Sequence, residues 1–599
     1  MKNKHTILII LLFGLFIGAC NKDFLNVTPL DQYSEDAVWK DPALIQSFVN
    51  NIYLGIPHGF SAIMLSSCAD ESMAVWDWES SNVTKCLLTP SYLGIFDIGF
   101  WTSKTRYITW NNSFKNIRAC NIFLDKIEAV KFDDQGLKDQ LTGEVHFLRA
   151  YYYHQLTALY GGVPIITKAY KLEDDFLAPR NTYDACMKFI VEECDKAAAL
   201  LPATLSGANK GRASKAAALT LKSRALLYAA SDLANNTSWA TGFSKPELLG
   251  YVGGDRKARW QAAKDAAKAV IDLGVNSLYK ANPAAGENTS KNYGDIFLLK
   301  ETSEDIWVRF ILAQYENDWD NGWPNLFNGP NGWHNWGGNT PIGQFVDDYE
   351  MIDGTRFDWN NPVHKADPYK NRDPRFYASI LYEGSKWRQR PADVKELDPI
   401  GIVQVGFYEK PGNVLKAGLD TKKSPIEDWN ATSTGYYLRK FIDPTVDAQY
   451  FKQEVPWRFM RYAEVILNYA EACLALGQET EAKTYLNMIR KRAGMPDIPA
   501  SETGQALIDR CRNERRIELA YEEHRYFDVR RWMIAPQVYT DAKAVNILYK
   551  LLPDNTTSVT PTFSLSTVQQ RAWKNSHYYL PIKLDEMNKN KNLVQNPLY

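Results

Sequence analysis

From residue 107 to 273 the sequence offers one helix pattern after another, each closed by its own stop signal. Residues 107–129 lead, and 137–160 follow until Gly161-Gly162-Val163-Pro164 halts them. Residues 182–200 end at Pro202, 215–230 are rich in Ala and Leu, and 260–273 stop at Gly274. Connections this short make successive helices antiparallel neighbours, which is how an α-solenoid is built. Ala216, Ala217, Ala218 and Ala225 would let such neighbours approach closely. Upstream, Ser34 caps a short helix through Trp39, and Asp41-Pro42 opens another that runs to about Tyr53. The succession of helices carries this reading, since no strict sequence repeat accompanies it.

Two stretches break the helical period. Residues 55–105 hold Gly, Pro, Ser and Asn among many aromatics and read as loop-rich. Residues 275–455 do the same on a larger scale. Their centre, Trp319-Asp320-Asn321-Gly322-Trp323-Pro324 and then Gly329-Pro330-Asn331-Gly332-Trp333-His334-Asn335-Trp336-Gly337-Gly338, is almost entirely turn formers and indoles. An irregular insertion of about 180 residues far exceeds ordinary loop lengths and reads as a lobe of its own. Helices resume at Arg461, where Ala463, Leu467, Ala470 and Leu474 form one apolar stripe ended by Gly477. Residues 480–492 and 504–521 supply two more. At 599 residues the chain is too long for one compact hydrophobic core, since single cores stop growing at roughly 250–300 residues.

The first residues belong to neither. Lys2 and Lys4 precede an apolar run from Ile7 to Ile17, too short to span a bilayer and suited to the core of a signal peptide. The run ends in Gly18-Ala19-Cys20, which resembles a bacterial lipoprotein signal in which the Cys becomes the acylated N-terminus. Several acyl chains on Cys20 would hold the protein stably on a lipid bilayer. The expected organisation is a signal peptide over 1–19, a lipidated extended lead over 20–33, helical scaffold over 34–274 with the loop-rich 55–105, the irregular lobe over 275–455, and scaffold-completing helices and tail over 456–599.

Composition excludes several classes. Lys and Arg number 69 against 70 Asp and Glu, so the positive charge that nucleic-acid binding requires is missing. Seven Cys follow Cys20, an odd number without zinc-ligand spacing that cannot fully pair, and most of them read as buried free thiols. No HExxH, GxSxG or phosphate-loop pattern occurs, and no cofactor is expected.

The order of several motifs resembles the RagB/SusD-type nutrient-binding outer-membrane lipoproteins of Bacteroidota, the starch-utilisation-system type. The resemblance begins at Cys20 with Asp23-Phe24-Leu25 and continues through Glu144-Val145-His146-Phe147-Leu148-Arg149-Ala150-Tyr151-Tyr152-Tyr153 and Gly211-Arg212-Ala213-Ser214-Lys215. Its C-terminal part includes Arg461-Tyr462-Ala463-Glu464, Asn468-Tyr469-Ala470-Glu471-Ala472, Glu514-Arg515-Arg516-Ile517-Glu518-Leu519-Ala520, Arg525-Tyr526-Phe527-Asp528-Val529-Arg530-Arg531-Trp532 and Gln595-Asn596-Pro597-Leu598-Tyr599. The family implies a mainly α fold, a tetratricopeptide-like helical-pair scaffold with a large irregular loop-rich lobe inserted. It also implies a cell-surface protein with no catalytic step, glycan or sometimes peptide cargo, and a SusC-like TonB-dependent outer-membrane transporter over which it acts as a lid.

Glycan capture needs aromatic faces for the C–H side of a sugar and polar groups for its hydroxyl rim, both exposed on loops that a rigid scaffold holds. The candidates are Trp76, Trp78 and Trp101 in the first irregular stretch, and Trp319, Trp323, Trp333, Asn335 and Trp336 in the second, with Asp320, Asn321 and Asn331 beside them. The competing reading makes each indole a core plug of a lobe with little regular structure. Glu514, Arg515, Glu518, Arg525, Asp528 and Arg530 are expected to form ion pairs between helices rather than acid–base machinery. A glycoside hydrolase would need two carboxylates flanking one bond, for which Asp77, Glu79 and Asp320 are the nearest to Trp. A purely gating partner protein would use the same indoles as its protein interface.

Overall fold

Five of the first six long scaffold helices start on a side chain that accepts a backbone N–H of the first turn. In the computed structural model, which describes residues 35–96, 109–313, 323–447, 449 and 451–599, Asp41 caps α1 (Pro42–Leu54) and α2 follows as Trp110–Ile127. Asp134 caps α3 (Gln135–Tyr160), Thr182 caps α4 (Tyr183–Leu200), Ser214 caps α5 (Lys215–Ala230) and Asp255 caps α6 (Arg256–Leu273). The stops are as local as the starts. Gly161 turns the chain at φ 78°, where a Cβ would lie 2.4 Å from the Leu248 carbonyl oxygen, and Gly274 takes the left-handed conformation at φ 67°. The Asp255 cap sets the start of α6 at Arg256, one turn before the Trp260 that the apolar pattern suggests.

Consecutive helices pack on one another from α2 to α6, and α6 then packs on α7 (Tyr462–Ala475) across the whole inserted lobe. The helical succession therefore resumes where it left off. Next come α8 (Glu479–Ala493), α9 (Gly504–Glu518) and α10 (His524–Arg531). The α9 helix ends three residues before the expected Tyr521, because Tyr521 and Glu523 both take left-handed backbone, at φ 62° and 66°. The fold is the expected mainly helical, tetratricopeptide-like scaffold with an irregular lobe.

Short strands stitch the lobe together. β1 (Ser72–Ala74) pairs antiparallel with β3 (Asn339–Pro341), which joins the first irregular stretch to the second. β2 (Asp305–Arg309) pairs antiparallel with β8 (Trp457–Arg461), so the lobe leaves and re-enters the scaffold at one place. There Trp307 packs its ring against Phe147 and Tyr151 of α3. β4 (Ile380–Leu381) pairs with β7 (Tyr437–Leu438). β5 (Phe407–Lys410) and β6 (Val414–Ala417) extend a hairpin of β9 (Ala542–Tyr549) and β10 (Thr562–Gln569), with β5 parallel to β9. The sequence reading of 456–599 as helices and tail omits that hairpin. It is half solvated and gains its sheet from lobe strands more than a hundred residues away, which local patterning does not display.

Two large apolar cores result, with two smaller clusters beside them. One fills the helical layers around Val145, Leu148, Leu221 and Ile466, and the other fills the lobe around Phe60, Phe345, Phe376 and Trp457. Between them lies a buried ionic seam. Arg461 donates to Glu304 (2.9 Å), Glu518 (2.7 Å) and Glu522 (2.7 Å). Glu518 also meets Arg492 and Arg375, and Glu514 accepts from Arg375 (2.6 Å) and Arg490 (3.0 Å). Burial alone would raise the Glu518 carboxyl, but Arg492, Arg461 and Arg375 hold it well below the usual carboxylate range. Burial pushes the Lys440 ammonium down to about 8 against the pull of Glu522. Arg515 pairs with Asp528 (2.8 Å) and Arg525 with Asp70 (2.8 Å). Arg530 departs from the ion-pair expectation: it donates to the carbonyls of His577 and Tyr526 and to the Tyr539 hydroxyl. The seven described cysteines are all buried free thiols, and no described helix is long and apolar enough to cross a membrane.

Candidate ligand-binding site

The β1–β3 pairing is what assembles the site. Ala74 lies opposite Asn339, and the Val75 N–H donates to the Gly338 carbonyl (2.8 Å), so Trp76 and Trp336 meet from two distant stretches of chain. Their rings stand edge to face with centroids 5.7 Å apart. Trp336 is held by its own N–H on the Leu326 carbonyl (2.8 Å) and by Phe327, whose ring lies 5.6 Å away. On its other side stands Trp429, 6.3 Å distant and 65% exposed. The result is a continuous row, Trp76–Trp336–Trp429, that rises from half-buried to open.

Three loops are tied together under that row. Asn331 is buried, donates to the carbonyls of Thr421 (3.1 Å) and Glu427, and accepts from the Tyr437 hydroxyl (2.7 Å), which anchors the loop carrying Trp429. His334 sits in left-handed backbone at φ 57° and places both ring nitrogens on carboxylates, Nδ1 on Glu427 (2.7 Å) and Nε2 on Asp393 (2.9 Å). His334 lies two positions from Trp336 and its partner Glu427 two positions from Trp429, so the contact ties together the segments that carry the two rings.

The other sequence candidates separate. Trp333 is fully buried: its Nε1–H donates to the Gln389 carbonyl (3.1 Å) and the Arg390 guanidinium lies 3.5 Å from its ring centroid. Arg390 is in turn locked to Asp398 and Asp420. Trp333 is thus a core plug and cannot offer a face to ligand. Asn335 is likewise buried, against Gly329, and leaves the set of rim residues. Trp323 is half-buried with the Lys452 ammonium 5.3 Å from its ring, and Phe451, the chain neighbour of Lys452, is exposed. Trp78 belongs to a short helix, Asp77–Thr84, but its side chain, and that of Asp77, lie outside the described ones. Cys20, Trp101, Trp319, Asp320 and Asn321 lie outside the described residues.

Sequence reasoning missed Trp429. Its neighbourhood, Ser424-Pro425-Ile426-Glu427-Asp428-Trp429-Asn430, shows the same mixture of turn formers and indole that singled out 319–338, on a smaller scale.

Comparison with known proteins covers both halves of the chain. A family model described as the SusD family matches residues 303–599, and one described as starch-binding, associating with the outer membrane, matches 23–227. A SusD-like protein of Formosa agariphila is 22% identical over 73% of this chain and 74% of its own length. The crystal structure of a SusD-like protein from Bacteroides fragilis superposes with a TM-score of 0.74 at 27% identity, covering 96% of this chain and 100% of that one. A second Bacteroides fragilis structure, called a SusD-like carbohydrate-binding protein, has a TM-score of 0.70 at 23% identity, with 93% and 100% covered. With models of SusD type matching both ends and the architecture shared along nearly the whole length, the chain belongs to the SusD family.

Proposed function

We propose that the protein is a cell-surface lipoprotein, anchored through Cys20, that captures an oligosaccharide on the Trp76–Trp336–Trp429 row and passes it to a SusC-like TonB-dependent outer-membrane transporter. It binds without a bond-breaking step and serves as the transporter's lid. The carrying observation is the exposure of Trp429, an indole left open to water at the end of a rigidly spaced aromatic row. An exposed indole that continues an ordered aromatic row offers the kind of face on which the C–H side of a sugar stacks. Two carboxylates beside the row, Glu427 and Asp393, are both engaged by His334, which suits a binding rim better than an acid–base pair. The family description as starch-binding and the carbohydrate-binding relative from Bacteroides fragilis support glycan over peptide cargo. A few aromatic stacks support a Kd of roughly micromolar to millimolar, adequate for a ligand that is handed on.

Affinity electrophoresis in gels cast with a panel of polysaccharides, with the same gels assayed for new reducing ends, tests this reading. Retardation on one glycan, lost by at least about tenfold in affinity for Trp429→Ala and without new reducing ends, is the expected result. New reducing ends would overturn the binding-only reading. Retardation undisturbed in Trp429→Ala and Trp336→Ala would move the site to the surface around Trp323.

A further inference from the structure

Away from the aromatic row, the helical scaffold holds a depression of about 450 Å³ between α6, α7 and α9. That volume falls within the usual range for ligand sites, roughly 300–1,000 Å³. Its walls are the indoles of Trp260 and Trp532, each at least nine-tenths buried, and its floor includes Leu474 and Ile508. Apolar walls alone would say nothing about an occupant; the cations at the rim do.

Arg512 is the informative group. It lies three-quarters buried, 5.1 Å from the Trp532 ring centroid, yet it donates no hydrogen bond among the described residues. Its nearest carboxylate oxygen, on Asp232, is 3.7 Å away, beyond hydrogen-bonding reach, and that carboxylate already accepts from Arg256 (2.6 Å). A guanidinium carries five N–H donors in a planar fork that matches a carboxylate. Elsewhere in this scaffold such forks are spent, as on Glu471, which takes both Arg531 and the Trp532 Nε1–H and so presents no unpaired charge to the depression. Lys257, exposed at the same rim, has no ion-pair partner among the described residues. Arg256, Arg512 and Lys257 thus face one available carboxylate, Asp232, and the depression is left electropositive.

We propose that this depression is a docking site for an acidic peptide segment, with an Asp or Glu carboxylate received by the Arg512 fork, a second by Lys257, and an intervening apolar side chain seated against Trp260, Leu474 and Trp532. The occupant is a segment of another protein rather than an acidic sugar, because the indoles here are buried in the walls and offer no open face for a pyranose to stack on. The site is separate from the aromatic row and does not depend on the function proposed for it.

Fluorescence anisotropy of the full chain in detergent, with the labelled probe acetyl-Asp-Leu-Glu-Phe-Asp-Leu-Glu, tests the proposal. Binding is expected in the micromolar to millimolar range and should weaken with added salt. The probe with Asn and Gln in place of Asp and Glu should bind at least about tenfold more weakly, and Arg512→Gln should lose a similar factor, the worth of charge-assisted hydrogen bonds. Lys257→Gln, an exposed change that leaves folding untouched, should lose about threefold. Trp429→Ala should bind the probe as the unaltered protein does. No binding at millimolar probe, equal binding of the amide probe, or equal binding by both Arg512→Gln and Lys257→Gln would overturn the proposal. So would displacement of the probe by an oligogalacturonate at lower concentration than by unlabelled peptide.

Discussion

The scaffold and the lobe solve one problem in different ways. In the helices the backbone largely satisfies itself, and at several N-termini a cap two or three residues away serves a remaining N–H, such as Asp134 on Leu137 or Ser214 on Ala217. The lobe has little regular structure to absorb its buried carbonyls, so side chains from far along the chain serve them. Arg372 is spent almost wholly on carbonyls, those of Val346 (2.6 Å), Tyr349 (2.7 Å) and Pro368 (2.8 Å). Asn339 donates to Ala62 and accepts from Met64, and Gln453 donates to Phe441. Irregular backbone can be buried, the comparison teaches, when long polar side chains do for it what helix periodicity does elsewhere. The same rigid irregularity holds a row of indoles at fixed spacing, which a mobile loop could not.

The sharpest way to break the contrast is at the seam. Arg461→Ala leaves Glu304, Glu518 and Glu522 without their shared cation, and roughly 3–5 kcal/mol of stability should be lost, read as a lower urea midpoint common to both parts. Partial melting of the lobe alone would show that the seam does not couple the two. Within the lobe, Trp333→Ala should cost about 3–4 kcal/mol, whereas Trp429→Ala should change stability by under about 0.5 kcal/mol; equal losses would deny that one indole is core and the other is surface.

A smaller effect than loss of the seam or of Trp333 is a pH dependence. Burial raises the Asp347 carboxyl to about 7, against the pull of Arg372 and the Trp359 Nε1–H that donates to it. Between its ordinary value near 4 and about pH 7, the folded protein therefore holds a proton that the unfolded chain has released, and stability falls as pH rises through that window. Asp347→Asn should remove that slope. Its thermal midpoint should match the unaltered protein at pH 4 and exceed it above pH 7, by roughly 1–3 kcal/mol in unfolding free energy. A constant difference across the window would assign the effect to packing instead.

Legibility follows the range of the interactions. The helices of 107–273 and 461–518 could be read because apolar stripe and stop, and in the first group most caps, lie within one element. Glu514 and Glu518 could be read as ion-pair members, but their partner Arg375 lies in the lobe, 139 positions from Glu514, where no local pattern points to it. The hairpin of β9 and β10 escaped because its sheet is completed by β5 from the lobe.

By itself, then, the chain determined its helices, their order, the place of the insertion and the abundance of indoles in it, because periodicity, caps and composition are properties of neighbours. Tertiary structure alone decided which indoles face water. Trp333 and Trp336 stand three residues apart in the same turn-rich segment, yet one is sealed under Arg390 while the other meets Trp76 and Trp429 across the β1–β3 pairing. Burial in an irregular lobe is set by contacts between distant segments, and those come into being only when the chain has folded.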